Sequence, residues 1–178
     1  GQRLSEKLQQ WKDGTRDTAL DRETFYTYYS SNGMLKEVIR EPNGVNEIHL
    51  KKKYIYNAFG DVYQEWLIGP GITDRYTQYS YDERSRQVTE ITNPKGHIAT
   101  QTWEHRYGVK TSQTDSNGQT TSWQYNKLGQ LTLETRPDTT ITEITAWKDD
   151  SGTMTNSAYY TETITTGTPT QRAFYDAL

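Results

Sequence analysis

The chain of 178 residues has no cysteine, which excludes disulfides, zinc-thiolate sites and cysteine nucleophiles and leaves the redox compartment open. Its three histidines, His49, His97 and His105, have no spacing that would line a metal face. No apolar run approaches the ~20 residues of a membrane span, and Gly1-Gln2-Arg3-Leu4 carries no signal-peptide core. Neither charge sign dominates: 20 Lys and Arg face 23 Asp and Glu, a net charge of −3 with no nucleic-acid footprint. The one basic run, Lys51-Lys52-Lys53, reads as a solvated strand edge. Large aliphatic residues are scarce as well. Leu, Ile, Val and Phe number only 28, below the share at which disorder becomes a live reading. Against disorder stand the small net charge and the 14 Tyr and 5 Trp, which carry the apolar area that aliphatic residues usually supply. With a mean hydropathy of −1.00, the composition suits a thin sheet with one half-buried face.

What the chain does have is recurrence. Tyr29 to Gly44, Tyr81 to Gly96 and Trp103 to Gly118 are each 15 residues apart, and Tyr56 and Tyr125 open two further blocks that end at Pro70 and Pro137. The five starts lie 27, 25, 22 and 22 residues apart, with Trp147 a degenerate sixth. Fixed periods in this range mark arrays in which each unit buries its face only against its neighbours. Inside a unit the pattern is two strands and two turns. Gln87-Val88-Thr89-Glu90-Ile91-Thr92 precedes the turn Asn93-Pro94-Lys95-Gly96, and His97-Ile98-Ala99-Thr100-Gln101-Thr102 then leads into Trp103. Thr, Tyr, Val and Ile pack well on a pleated surface, while Asn-Gly and Pro-x-Gly supply the fixed or positive φ of a tight reversal. The expected fold is all-β, an antiparallel meander of hairpins. No stretch from residue 25 onward keeps apolar residues at helical spacing before a Gly or Pro interrupts it.

The first two dozen residues differ. Leu4, Leu8 and Trp11 fall at helical spacing with Gly14 as a stop, so residues 1–24 read as a short helix or an irregular hairpin around Trp11-Lys12-Asp13-Gly14. Residues 25–178 form the repeat sheet. The best acidic pair, Asp149-Asp150, precedes Ser151-Gly152 and is ordinary turn chemistry. No catalytic residue, metal site or cofactor is expected.

Tyr81-Asp82, Tyr175-Asp176, Tyr56-Asn57-Ala58-Phe59-Gly60 and Tyr125-Asn126-Lys127-Leu128-Gly129 resemble the YD repeats of the Rhs family, which includes bacterial polymorphic toxins, the B and C subunits of insecticidal toxin complexes and the teneurin shell. The family pattern is Tyr-Asp, two variable residues, Gly-Arg, a strand and a Pro-Asp/Asn-Gly turn. Ser85 stands here in the Gly place, only Arg86 fills the Arg place, and Trp103-Glu104-His105 keeps the spacing without the letters. The resemblance implies a curved sheet that is a piece of a β-shell enclosing a toxin polypeptide, secreted or at the surface of a bacterium. Its partners would be the remaining repeats or a second shell subunit, and it would do no chemistry of its own. The repeat-defining residues are then Tyr29, Gly44, Tyr56, Gly60, Tyr81, Asp82, Gly96, Trp103, Gly118, Tyr125, Gly129, Tyr175 and Asp176. Phe174-Tyr175-Asp176-Ala177-Leu178 reads as the opening of another unit, so a fragment with open, self-pairing edges is expected. The alternative is a carbohydrate- or surface-binding module using Trp66, Trp103 and Trp123.

Overall fold

Among the described residues, segments rich in Thr and Tyr, broken at short intervals by Asn, Asp and Gly, build strands joined by turns and no helix. The structure is a computed structural model that describes residues 2–12, 15–41, 49–148 and 157–176. Two units divide the chain, Gly1–His97 and Ile98–Leu178. The first holds β1 (Ser5–Lys12), β2 (Thr15–Tyr28), β3 (Leu35–Arg40), β4 (Leu50–Tyr56), β5 (Val62–Ile68), β6 (Arg75–Tyr81) and β7 (Val88–Thr92). The second holds β8 (Ile98–Glu104), β9 (Val109–Thr114), β10 (Thr120–Tyr125), β11 (Leu131–Thr135), β12 (Ile141–Lys148), β13 (Ser157–Thr165) and β14 (Gln171–Asp176).

Within each unit every strand pairs antiparallel with its successor. The expected all-β meander is thus what forms. No described residue is fully buried, and most strand residues are half-buried. Stability therefore comes from ladder hydrogen bonds and same-face side-chain pairs between adjacent strands, not from a core. Such pairs include Trp66 on Tyr76, with centroids 4.5 Å apart, and Tyr160 on Phe174 at 5.4 Å.

Among the described residues of 1–24 the short helix expected as one option does not form. Leu4, Leu8 and Trp11 belong to a hairpin, with β1 running Ser5↔Phe25 to Lys12↔Thr15 against β2. The reason is physical. A helix of so few residues does not recover its nucleation cost in water, whereas a strand here gains a ladder from β2 at once. In strand geometry Leu4 and Leu8 share a face, and they remain 69% and 60% exposed, so the spacing that suggested a helix buries little. Gly14, Gly44 and the Asp149-Asp150 pair lie outside the described residues.

Candidate functional site

In five hairpins the ladder slips by one residue immediately before an aromatic side chain, and a further one-residue slip lies before Tyr159 in β13. The pairing changes between Thr27 and Tyr28, Ile55 and Tyr56, Ser80 and Tyr81, Thr102 and Trp103, and Gln124 and Tyr125. In the five hairpins the surplus residue sits on the return strand, as Lys36, Tyr63, Thr89, Thr111 and Thr132, whereas before Tyr159 it is Ala158 on β13 itself. A bulge of this kind bends its strand and sharpens the local twist. Tyr28, one residue before Tyr29, occupies the first of these places. Tyr29 stands where Asn57, Asp82 and Asn126 stand, as the first residue of the turn.

The aromatic after the bulge reaches away from its own turn. Tyr28 donates its hydroxyl to Arg3 O at 2.7 Å, Tyr56 to Leu35 O at 2.8 Å, Tyr81 to Val62 O at 2.8 Å and Tyr125 to Lys110 O at 2.7 Å. Each phenol thereby ties its hairpin to the strand or segment before it. Trp103 fills the same place in β8 with an indole, and Lys110 Nζ lies 5.6 Å from its ring. Partial burial pushes the Tyr56, Tyr81 and Tyr125 phenols above their ordinary value, because the charged form loses part of its solvation there.

One turn closes most of these hairpins. Asn57, Asn93, Asp115 and Asn126 each donate their N–H to the carbonyl four residues on, at 2.9 Å. Each also accepts at its own carbonyl from the glycine three residues on, Gly60, Gly96, Gly118 or Gly129. Their Oδ1 atoms take the N–H groups two and four residues on, at 2.8 to 3.0 Å. This is a type I turn closed by a left-handed residue, with the side chain satisfying the backbone donors. The left-handed residue has φ +94° at Gly60 and +78° to +79° at the other three. Variants keep the frame: Ser85 at φ 55° and Thr139 at φ 67° stand in the glycine place. The N–H of Arg86, helped by its guanidinium and by the N–H of Gln87, holds Asp82 below the usual carboxylate range. The Asn or Asp three residues before Gly is the signal of this turn in the sequence, as in Asn93-Pro94-Lys95-Gly96.

The two rims of each meander differ. On the bulged rim successive turns touch. Gln2 Nε2 donates to Gly33 O at 2.7 Å, and Ser85 Oγ donates to Asp61 Oδ2 at 2.5 Å while accepting from Asn57 Nδ2 at 2.8 Å. In the second unit Tyr107 donates to Lys127 O and lies so close to Gly129 that a Cβ there would meet its ring at 2.9 Å. On the other rim Gly71, Gly96, Gly118 and Gly167 have open space where a Cβ would go. A cleft of about 650 Å³ opens there between Ile72 and Pro94, beside Tyr76.

Tyr175 lies in β14, stacked on Tyr159 with centroids 4.8 Å apart, and Asp176 ends the same strand opposite Ser157. The register puts Trp103 and Trp123 on one face of β8 and β10, the strands that flank β9. Trp66 lies in the first unit, its ring tilted 32° against that of Tyr76, and donates to Gln64 Oε1 at 3.1 Å. All three are half-buried, whereas Trp11 and Trp147 are 64% and 51% exposed. Among the described residues no group of three or more His, Asp or Glu is arranged to hold a metal ion, and no helix is long and apolar enough to cross a membrane.

Residues 111–141, from β9 through three turns to the start of β12, match the family model described as RHS Repeat. Across 96% of its length the chain is similar to a component of the crystal structure of TcdB2-TccC3-Cdc42, with a TM-score of 0.60 and 13% identity, a likeness of fold. A structure of the Photorhabdus luminescens Tc holotoxin pore also matches, over 88% of this chain, with a TM-score of 0.43 and 14% identity. The chain spans 11% and 10% of those two chains. No curated protein sequence matches it. With an RHS repeat at residues 111–141 and a meander shared with a Tc toxin component, the chain resembles the Rhs/YD-repeat family.

Proposed function

We propose that this chain is a structural panel of an Rhs/YD-repeat shell, enclosing or presenting a toxin polypeptide and performing no chemistry of its own. The observation that carries the reading is one mechanical module used five times: a bulge, an aromatic, and a turn, with no fully buried residue anywhere among those described. A module that buries its side chains only against the next one extends a wall without needing a core. The RHS repeat and the shared fold support a shell role in general. In this reading the partners are other repeats of the parent polypeptide or a second shell subunit, the cargo is a toxin polypeptide, and the place of work is outside a bacterial cell or on its surface.

Among the described residues β1 is bonded only to β2 and β14 only to β13. Open edges of this kind recruit other strands, so the isolated chain is expected to pair with further copies of itself. Light scattering after size exclusion over a concentration series tests this: a mass that rises with concentration supports the panel, and a strict monomer at every concentration overturns it. The half-burial of Trp66, Trp103 and Trp123 weighs against the carbohydrate-binding alternative. That alternative would gain from a saturable change in tryptophan fluorescence on titration with soluble polysaccharide.

A further inference from the structure

Two adjoining grooves of about 320 and 270 Å³ cross one face of β1–β4 and share Tyr26, Val38 and Arg40. The register explains the sharing: Tyr26 pairs with Val38, Val38 with Lys52, and Arg40 with Leu50, so these side chains project from the same face. Val38 and Leu50 give the grooves an apolar floor, and the phenols of Tyr26 and Tyr54 flank it.

The charges in the grooves are nearly all spoken for. The Glu6 carboxylate is held by Arg3 at 3.1 Å and by the Tyr26 hydroxyl at 3.2 Å. Arg22 lies 3.8 Å from Glu41, and Lys52 is paired with Glu65. Arg40, which lines both grooves at their junction, has no carboxylate at ion-pair distance among the described residues. An unmatched guanidinium over an apolar floor calls for a carboxylate carried next to apolar or neutral atoms. Four strands at their usual spacing span roughly 14 Å, the reach of about four residues of extended chain.

We infer that this face of the first unit binds an extended acidic peptide, one carboxylate meeting Arg40 and the adjoining residues lying over Val38 and Leu50 between Tyr26 and Tyr54. The inference rests on the shell reading in that it names the face, and the chemistry, that meets an enclosed polypeptide. The probe is poly-L-glutamate titrated into the whole chain at low salt, followed by backbone amide chemical shifts, with poly-L-lysine as the comparison. Saturable shifts confined to β1–β4 are expected with polyglutamate only, and they should fade as salt is raised. Arg40→Gln should weaken binding about tenfold, whereas Lys53→Gln, on the opposite face of β4, should change it less than about twofold. Circular dichroism identical to that of the parent chain shows that Arg40→Gln is folded. No saturable shift, equal weakening by both substitutions, or equal binding of polylysine overturns the groove. Polyglutamate failing to bind a chain that still self-associates overturns the groove alone, and a strict monomer that binds polyglutamate overturns the shell reading alone.

Discussion

A phenol that gives its proton to the carbonyl of a neighbouring hairpin cannot ionise without losing that bond, and this makes the tyrosines measurable one at a time. Tyr125→Phe should lower stability by about 1 kcal/mol in a denaturant melt, the usual net worth of one such bond. A pH effect follows from the same groups. Their folded values lie above the ordinary value of 10.0, so their contribution is fully present below about pH 10 and is lost as the pH rises through the higher folded value. Denaturant midpoints taken at about pH 8 and about pH 11 should therefore differ, and Tyr56→Phe and Tyr81→Phe should each reduce the difference. Thr139, β-branched and at φ 67°, holds a conformation that suits glycine. Thr139→Gly should raise the melting midpoint, by the equivalent of roughly 0.5 to 1 kcal/mol, while Gly118→Val should lower it by roughly 1 kcal/mol or more. Gly129→Ala should be worse than Gly118→Ala, because only the former drives a Cβ into the Tyr107 ring.

Between neighbouring strands the unit of construction is a hairpin with a bulge on one side and a regular ladder on the other. Deleting Thr132, the surplus residue of the bulge between β10 and β11, should force Leu133 and its neighbours in β11 onto the opposite face or leave Tyr125 unpaired. The amide spectrum of β10–β12 should then collapse while β8 and β9 keep their signals. Much of this architecture was legible beforehand, since β-branched and aromatic runs cut by Asn-x-x-Gly specify strands and reversals through local backbone preference. Bulges were not, because a one-residue surplus leaves composition and alternation almost unchanged, and near Tyr26, Tyr28 and Tyr29 three tyrosines compete for one place. The N-terminal hairpin was ambiguous for a different reason. Leu4, Leu8 and Trp11 satisfy helical spacing, and only the partner strand β2 decides the outcome. The tryptophans looked exposed in a chain this polar, yet cross-strand neighbours such as Tyr76 over Trp66 cover them in part.

At the scale of each unit, stability is a sum over nearest neighbours, since among the described residues no buried interior is present to make it all-or-none. Hydrogen exchange should accordingly show graded protection, highest in strands bonded on both sides such as β4 and β10 and lowest in β1 and β14. Uniform protection across all strands would mean that something beyond the neighbouring strand stabilises them. The difference between the two rims bears on how such a chain can change over generations. A loop grafted after Lys95 or Asn117 enters open space and leaves the ladder in register, whereas the same graft after Phe59 must displace Ser85 from Asp61 and Asn57. A short Gly-Ser insertion at each place, compared by thermal melt, should show the first tolerated and the second damaging. Novelty can accumulate along one margin of the sheet while the other keeps the inherited register, so the same wall can acquire new surface features without being redesigned.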